Sequence, residues 1–345
     1  MIFCLLIEFL LAYLLHRTKS FSMRLTMLLA MLVASIAVSS SQASDNEFND
    51  YLKTLKSEAI EKGYDVQFID SAFSDITFRP TAVKSDKNQP EKKITLDDYI
   101  VSRVPDWKAE QAVQKYLSNK VLLDEIGRKY GVQPRFIVAL WGNESNFGKI
   151  QGSYSILSAL ASLAYEGRRE ALFKKNFFAA LTILSEKHAQ VDNFKGSWAG
   201  AMGQTQFMPV SFLTYAQDYD GDGKKDIWGT KADVFASIAN YLASEGWDDT
   251  GTWGRQVRLT KPVTISGLAK ANMRPLSFWQ DQGVRRFDGS DLPNVDIKAS
   301  LIMPDGENGR IYLVYNNFHT LMKWNRSTYF GVSVGYLSER IKRGY

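Results

Sequence analysis

One glutamate in the sequence lies where a carboxyl group could transfer protons. Glu144 follows Phe136, Leu140 and Trp141 at helical spacing, near the end of a helix that Pro134 is predicted to open. An apolar helix face disfavours the charged form of a carboxyl group, which raises its pKa and makes it a proton donor near neutral pH. Position alone also fits a buried glutamate paired with an arginine for structural reasons. Both roles are open at this point.

A second carboxylate that could share glycosidase chemistry does not stand out, although glycosidases ordinarily use two. Glu166 lies beside Arg168 and Arg169, which predicts an ion pair with arginine. The other nearby acidic residues are typical of solvated helix faces: Glu170, Glu186 and Asp192. The pattern favours one residue acting first as acid and then as base, with the nucleophile taken from within the substrate.

An Asp- and Gly-rich segment has the spacing of a calcium-binding loop. Asp218, Asp220 and Asp222 occupy positions 1, 3 and 5 of an EF-hand-like pattern, and the carbonyl group of Lys224 falls at position 7. Position 12 is Gly229 and not the bidentate glutamate of a standard loop. We therefore expect a structural calcium ion rather than a catalytic one.

The first 43 residues are predicted to be a secretory signal, with the true start at Met23. Arg24 is followed by an apolar stretch over residues 25–38, and Ser41 and Ala43 suit cleavage before Ser44. A two-span membrane anchor is the alternative, but the two apolar runs, residues 2–15 and 25–38, are each shorter than the roughly 20 residues that a span needs. The mature protein is expected to be soluble outside the cytoplasmic membrane.

Composition excludes several other functions. Hydrophobic residues make up 45% of the 345 residues, enough for a globular core. The net charge is +5, and Lys and Arg are scattered without a basic stripe, so no nucleic-acid partner is expected. The single cysteine, Cys4, precedes the predicted cleavage site, and His188 and His319 have no metal-ligand spacing. No Ser-His-Asp or Cys-His site can be assembled from this set.

Periodicity predicts a mainly α (α+β) protein. Residues 44–118 form a helical N-terminal region with a linker at residues 80–93, and residues 119–254 a helical core. Residues 255–315 are predicted to be a small β-rich insertion, and residues 316–345 a helical segment that returns to the core. The predicted strands are Val257–Leu259, Val263–Ile265, Ala299–Ile302 and Ile311–Val314.

Three segments come in a fixed order along the chain. They are Trp-Gly-Asn-Glu-Ser-Asn-Phe-Gly at residues 141–148, Gly-Ala-Met-Gly-Gln-Thr-Gln-Phe-Met-Pro at 200–209 and Asp-Gly-Asp-Gly at 220–223. Ala-Asn-Tyr-Leu at 239–242 and Trp-Asn-Arg-Ser-Thr-Tyr at 324–329 follow. Together they resemble the lytic murein transglycosylase B family over roughly residues 95 to 340.

The resemblance implies a lysozyme-like α-helical catalytic core and an enzyme of the periplasm that acts on peptidoglycan glycan strands. Glu144 matches the catalytic glutamate of the family, which protonates the β-1,4 glycosidic oxygen between MurNAc and GlcNAc. It then takes the proton of the C6 hydroxyl as that oxygen attacks C1, and the product carries 1,6-anhydroMurNAc. This chemistry requires no cofactor. Cell-wall enzymes are expected as partners, and the protein is expected to be a monomer.

The same match implies substrate-binding roles for four residues, each with a structural alternative. Ser197 could instead cap a turn, and Gln206 could satisfy backbone groups of its loop. Tyr241 and Tyr329 could be core aromatic residues with a hydrogen-bonded hydroxyl. In the family, the Asp-rich loop closes with a later aspartate, which implies Asp233 as the last ligand of an EF-hand-like loop at residues 218–233; its alternative role is to cap a helix.

Two other functions stay open. A muramidase would hydrolyse the same bond and would need a water-activating carboxylate such as Glu166 or Asp192. A non-catalytic peptidoglycan-binding protein would keep the fold without turnover. Retention of Glu144 argues against the second, because a pure binder has no use for a proton donor on an apolar helix face.

Overall fold

A computed structural model describes residues 46–88 and 94–344, and the chain divides into two compact units at residues 69 and 70. The predicted signal peptide, residues 1–43, lies outside the described residues. No helix of the described residues is both long enough and apolar enough to cross a membrane.

The described part of the first unit is helical, as its spacing of apolar residues predicts. Helix α1 covers residues 46–61, with Phe48, Leu55 and Ala59 buried at intervals that share one helix face. Helix α2 (Val66–Phe73) spans the unit boundary. Asp65 starts it, because its carboxylate accepts the backbone N–H of Phe68 at 2.9 Å.

The second unit contains a helical body and a five-stranded sheet. Its helices are α3 (Pro80–Lys87), α4 (Leu96–Arg103), α5 (Asp106–Ser118), α6 (Lys120–Tyr130), α7 (Pro134–Ser145), α8 (Ile156–Tyr165), α9 (Glu170–Ser185), α10 (Pro209–Tyr215), α11 (Lys231–Ser244), α12 (Leu276–Asp281), α13 (Asn316–Trp324) and α14 (Thr328–Arg343). Its strands are β1 (Tyr154–Ser155), β2 (Lys195–Gly196), β3 (Gly254–Leu259), β4 (Arg274–Pro275), β5 (Val284–Arg286), β6 (Lys298–Ile302) and β7 (Ile311–Val314). The predicted mainly helical class with a smaller β part is confirmed.

Helix α7 lies inside the helical body, with α5, α6, α11 and α14 packed around it. Its Phe136, Leu140 and Trp141 are buried almost completely, at no more than 1% exposure. A helix that is apolar on most of its surface is stable only when neighbours cover it on most sides. The helix that carries Glu144 is therefore among the most enclosed parts of the molecule.

The sheet is antiparallel, in the order β4-β6-β7-β3-β5, and has its own apolar core. Trp279 on α12 is fully buried there, and its indole N–H donates to the carbonyl of Ala299 at 2.9 Å. Leu301 and Leu313 pack beside it from β6 and β7. Residues 254–314 thus form a β-rich part of the chain between α11 and α13.

The strand predicted at Val263–Ile265 is wrong. Residues 261–267 form no strand, and Pro262 lacks the N–H that a ladder would use. One hydrogen bond, from the N–H of Gly267 to the carbonyl of Leu301 at 2.7 Å, ties the segment to the sheet. Val263 still enters the apolar core, so its burial rather than strand pairing explains its residue type.

The linker predicted at residues 80–93 is also wrong over its first half, which is helix α3. Pro80 occupies the first turn, where a missing N–H costs nothing. Asp86 is 3% exposed and pairs with both Arg168 and Arg169. Glu166, predicted to pair with an arginine, instead binds Lys87 at 3.0 Å. The two arginines are taken up by Asp86, so α3 is fastened to the turn that follows α8.

We expect Asp86→Ala to lower the free energy of unfolding by about 1–3 kcal/mol, because two guanidinium groups lose their shared acceptor. Urea denaturation of the purified protein measures the change. Asp75→Ala, at an exposed position eleven residues earlier, is the control and should leave the midpoint unchanged. Equal midpoints for Asp86→Ala and wild type would contradict a stabilising role for this ion-pair cluster.

Candidate active site

Helix α7 ends one residue after Glu144 in an unusual backbone conformation. Asn146 has φ 50° and Phe147 has φ 59°, two consecutive non-glycine residues in the left-handed region. Such a conformation costs energy and persists only where packing holds it. Phe147 is 6% exposed, and its ring meets Trp141 edge to face at 5.4 Å.

Gly142 makes this packing feasible. A Cβ atom at that position would lie 2.7 Å from the Phe147 ring, closer than real contacts allow. The glycine therefore lets the chain fold back over α7 directly after Glu144. Gly142 thereby permits the backbone conformation that ends the helix carrying Glu144.

Glu144 is partly buried, and its carboxylate accepts one short hydrogen bond. The indole N–H of Trp324, the last residue of α13, donates to Glu144 Oε1 at 2.6 Å. Burial raises the pKa of Glu144 to about 7, because enclosure disfavours the charged form. The Trp324 hydrogen bond and the positive charges of Arg103 and Lys108 act against this and lower the pKa. At neutral pH the group populates both protonation states.

Two cations from separate helices act on this carboxyl group. Arg103 comes from α4 and Lys108 from α5, the helix that packs directly on α7. Lys108 is only 7% exposed, and burial lowers its pKa to about 8. Arg103 lowers that pKa further, whereas the negative charge of Glu144 raises it. The ionised form of Glu144 is thus the natural counter-charge of a buried ammonium group.

An aromatic wall holds Trp324 in place. Its ring lies 4.6 Å from the ring of Tyr241 and 5.2 Å from that of Phe207. Tyr241, one of the residues predicted to contact substrate, is 8% exposed, and burial raises its pKa. It also packs on Tyr215 at 4.4 Å. Tyr241 therefore packs directly on the side chain that binds Glu144.

Gln206 and Ser197 make contacts within their own loops. The Gln206 amide donates to the carbonyl groups of Gly203 at 2.8 Å and Gln151 at 3.3 Å. Ser197 Oγ accepts the backbone N–H of Ala201 at 3.0 Å. These bonds fit the structural alternatives weighed for both residues, and their contact with substrate stays a prediction.

Tyr329 lies on α14, where its hydroxyl donates to the carboxylate of Asp305. Its ring meets that of Tyr99 at 5.6 Å, edge to face. Tyr99 in turn is close enough to Glu144 for the charge of that carboxylate to raise its pKa, although burial is the larger cause. Tyr329 therefore borders the site through Tyr99, and a direct role toward substrate stays a prediction.

Sequence reasoning missed four residues of the site. Tyr99, Arg103 and Lys108 lie in the segment assigned to a helical N-terminal region, at a spacing that carries no chemical pattern. Trp324 begins one of the quoted segments, but nothing in the sequence joins it to a glutamate 180 residues earlier. Their proximity arises only because α4, α5 and α13 meet beside α7.

The alternative carboxylates are engaged or exposed. Glu166 binds Lys87, and that hydrogen bond lowers its pKa. Asp192 is exposed on a short 3-10 turn, Val191–Asn193. Within residues 46–88 and 94–344, the charges that shift the pKa of Glu144 are those of the cations Arg103 and Lys108. No described carboxylate is among the causes of that shift.

The Asp-rich loop brings three carboxylates together. Ligand oxygens of Asp218, Asp220 and Asp222 lie within 4.8 Å of one another, and all three residues are exposed. Asp218 also accepts the backbone N–H groups of Gly221 and Gly223, at 2.8 and 2.9 Å. Carboxylate oxygens are the hard ligands that calcium prefers, and a calcium role for these three residues stays a prediction.

Asp233 accepts hydrogen bonds from the backbone of the same loop. It is fully buried in the first turn of α11, and its two oxygens accept the N–H groups of Tyr219 at 2.7 Å and Asp226 at 2.8 Å. Asp226 itself accepts the N–H of Thr230, which precedes the helix, at 3.0 Å. Asp233 therefore joins the two ends of the loop, which differs from the helix-capping role weighed for it. A ligand role for Asp233 stays a prediction.

Comparison with known proteins places these features in a family. The family described as Transglycosylase SLT domain matches residues 47–339. Membrane-bound lytic murein transglycosylase B of Escherichia coli (strain K12) is 31% identical over 220 residues, which are 64% of this chain. The match spans 60% of the length of that relative.

Solved structures share the fold. SltB3 from Pseudomonas aeruginosa, in complex with NAG-NAM-pentapeptide, superposes with a TM-score of 0.82 and 36% identity over 86% of this chain and 79% of its own. The Escherichia coli lytic transglycosylase Slt35, in complex with calcium, has a TM-score of 0.75 and 26% identity over 85% of this chain and 93% of its own. The expected lysozyme-like fold is confirmed.

We expect Lys108→Met to raise the pKa of Glu144, because the buried positive charge of Lys108 lowers it. Titration of the ¹³C-labelled Glu144 carboxyl group by NMR measures the shift, with the resonance assigned by Glu144→Gln. Lys115→Met removes a charge from the same helix but not from the surroundings of Glu144 and should leave the titration unchanged. A lower pKa in Lys108→Met than in wild type would refute this electrostatic account.

Proposed function

The chain belongs to the transglycosylase SLT domain family, and on that premise we propose that it is a lytic transglycosylase of peptidoglycan. It cleaves the β-1,4 bond between MurNAc and GlcNAc and leaves a 1,6-anhydroMurNAc end. The observation that carries the proposal is the state of Glu144: a single enclosed carboxyl group with a pKa of about 7, attended by cations and an indole N–H.

The first step requires the protonated form of Glu144. Its carboxylic acid donates the proton to the glycosidic oxygen, and the bond from that oxygen to C1 of MurNAc breaks as positive charge develops on the sugar ring. A pKa of about 7 leaves this form well populated at neutral pH. Turnover therefore declines as the pH rises through the pKa of Glu144.

The second step uses the carboxylate that remains. It accepts the proton of the C6 hydroxyl of MurNAc while that oxygen attacks C1, which closes the anhydro ring and returns Glu144 to its acid form. The Trp324 N–H and the charges of Arg103 and Lys108 stabilise the carboxylate between the two transfers. The proton that Glu144 gives in the first step is replaced in the second, and neither step needs water or a second carboxylate.

This geometry favours a transglycosylase over a muramidase. A hydrolase needs a carboxylate that activates water on the sugar, whereas Glu166 is bound to Lys87 and Asp192 is exposed on its turn. A protein that only binds glycan would gain nothing from a carboxyl group held at the cost of burial. Tyr241, one of the predicted substrate residues, packs on Trp324, the side chain that binds Glu144.

We propose peptidoglycan glycan strands as the substrate and the periplasm as the place of action. The signal predicted in residues 1–43 and the match to SltB3, whose structure holds NAG-NAM-pentapeptide, support this. Substrate contacts of Ser197, Gln206 and Tyr329, cell-wall enzyme partners and a monomeric state stay predictions.

We expect Glu144→Gln to reduce the release of muropeptides from purified cell wall by about 100- to 10,000-fold, because the amide cannot transfer protons. Mass spectrometry of the digest identifies the products, and those of the wild type should be lighter by one water than reducing muropeptides. Glu166→Gln and Asp192→Asn are the controls and should keep full activity. Reducing muramic acid ends in the wild-type digest would establish a hydrolase instead.

We further propose that the Asp-rich loop holds a structural calcium ion. The oxygens of Asp218, Asp220 and Asp222, which lie within 4.8 Å of one another, would bind it. The loop spacing adds the carbonyl group of Lys224, and the family resemblance adds Asp233 as the last ligand. The two oxygens of Asp233 already accept backbone N–H groups, but each carboxylate oxygen retains a second lone pair. The calcium complex of Slt35, which shares the fold, supports the choice of ion.

Calcium at a hundredfold excess over its dissociation constant should stabilise the folded protein by about 3 kcal/mol. Differential scanning calorimetry and isothermal titration, with and without the ion, measure this. Asp220→Asn should weaken the effect, whereas Asp296→Asn, an exposed position in the sheet region, should preserve it. An unchanged melting temperature of the wild type in calcium would rule the site out.

A further inference from the structure

The turn between β6 and β7, residues 303–310, reaches the first turn of α4. Asp305 Oδ2 accepts the backbone N–H of Leu96 at 2.6 Å, and Asp305 Oδ1 accepts the hydroxyl of Tyr329. One carboxylate of the sheet region therefore holds two helices, α4 and α14.

The hydrogen bond from the Leu96 N–H provides a partner for a backbone donor at the N-terminus of α4. The first N–H groups of a helix have no partner within the helix. Thr95 Oγ1 accepts the N–H of Asp98 at 3.2 Å, but Leu96 is completely buried, so its own N–H needs a partner from elsewhere. A negative charge is also favourable at a helix N-terminus.

A second bond fastens the same helix end. Arg310, at the other end of the turn, binds the carboxylate of Asp97 with Nε at 2.6 Å. Glu307, in the middle of the turn, is exposed. The turn thus binds the first turn of α4 through Asp305, which is partly buried, and through Arg310.

Helix α4 passes this placement on to the active site. The Tyr99 ring packs on Tyr329, and the Arg103 guanidinium lies 5.7 Å from the centre of the Tyr99 ring. Arg103 is one of the cations that lower the pKa of Glu144. The other groups that lower the pKa of Glu144 are Lys108 on α5 and the Trp324 N–H at the end of α13.

We propose that Asp305 is a positioning residue of the active site. It holds α4, and with it Arg103, in place beside Glu144. The sheet region then takes part in proton transfer without touching substrate. This role rests on the proposed function, but the effect of Asp305 on the pKa of Glu144 can be measured in the protein without substrate.

The test is the NMR titration of the ¹³C-labelled Glu144 carboxyl group in the full chain without substrate. Asp305→Ala should raise the pKa of Glu144, because a loosened α4 weakens the effect of Arg103. Asp305→Asn retains one acceptor oxygen and should give a smaller rise. Glu307→Ala, in the same turn, should give none. A pKa of Glu144 unchanged in both Asp305 variants would overturn the proposal.

A second background separates positioning from general loosening of the fold. If Asp305 acts through Arg103, Asp305→Ala added to Arg103→Gln should produce no further rise in the pKa of Glu144. An equal rise in both backgrounds would show that Asp305 acts by another route and would also overturn the proposal. Amide exchange at Leu96 reports directly on whether its N–H has lost its partner.

Digestion of cell wall by the same variants tests the proposed function separately. Asp305→Ala should reduce kcat/KM by about 10- to 100-fold, with kcat carrying the loss, because displaced catalytic groups raise the barrier more than they weaken binding. If the wild type released no anhydro product while the titrations behaved as expected, the proposed function would fail and the positioning role of Asp305 would stand.

Discussion

In the proposed mechanism Glu144 gives a proton and then takes one back, so its two protonation states must lie close in free energy. Burial of Glu144 pushes its pKa up, while the Trp324 N–H and two cations pull it down, and the balance lies at about 7. Burial alone would leave an acid too weakly acidic to yield its proton. The hydrogen bond and the cations alone would leave a permanent carboxylate. The elements around Glu144 supply these opposed effects on its pKa.

The opposed effects come from different parts of the chain. Enclosure arises from the packing around α7, the cations from α4 and α5, and the indole from the end of α13. Each element is in turn held by another: Tyr241 supports Trp324, and Asp305 supports α4 from the sheet region. The sheet is therefore connected to the site even though its own apolar core, around Trp279, is separate.

Local patterns predicted some of this and could not predict the rest. Glu144 was found because its helix spacing placed it on an apolar face, and the acidic loop because its ligands are close in sequence. Arg103 and Lys108 were missed because their importance lies in where α4 and α5 end up relative to α7. Helix α3 was mistaken for a linker because its polar composition hides Asp86, whose burial depends on two distant arginines. Val263 was assigned to a strand because burial and strand pairing leave the same residue type.

The hydrogen bond between Glu144 and Trp324 joins residues that are 180 positions apart in sequence, so its two partners are synthesised at different times. A chain that has emerged only as far as α12 has its glutamate but neither the indole nor the wall of α13 and α14 that encloses it. Under the proposed function, the site is therefore complete only once α13 and α14 have folded beside α7.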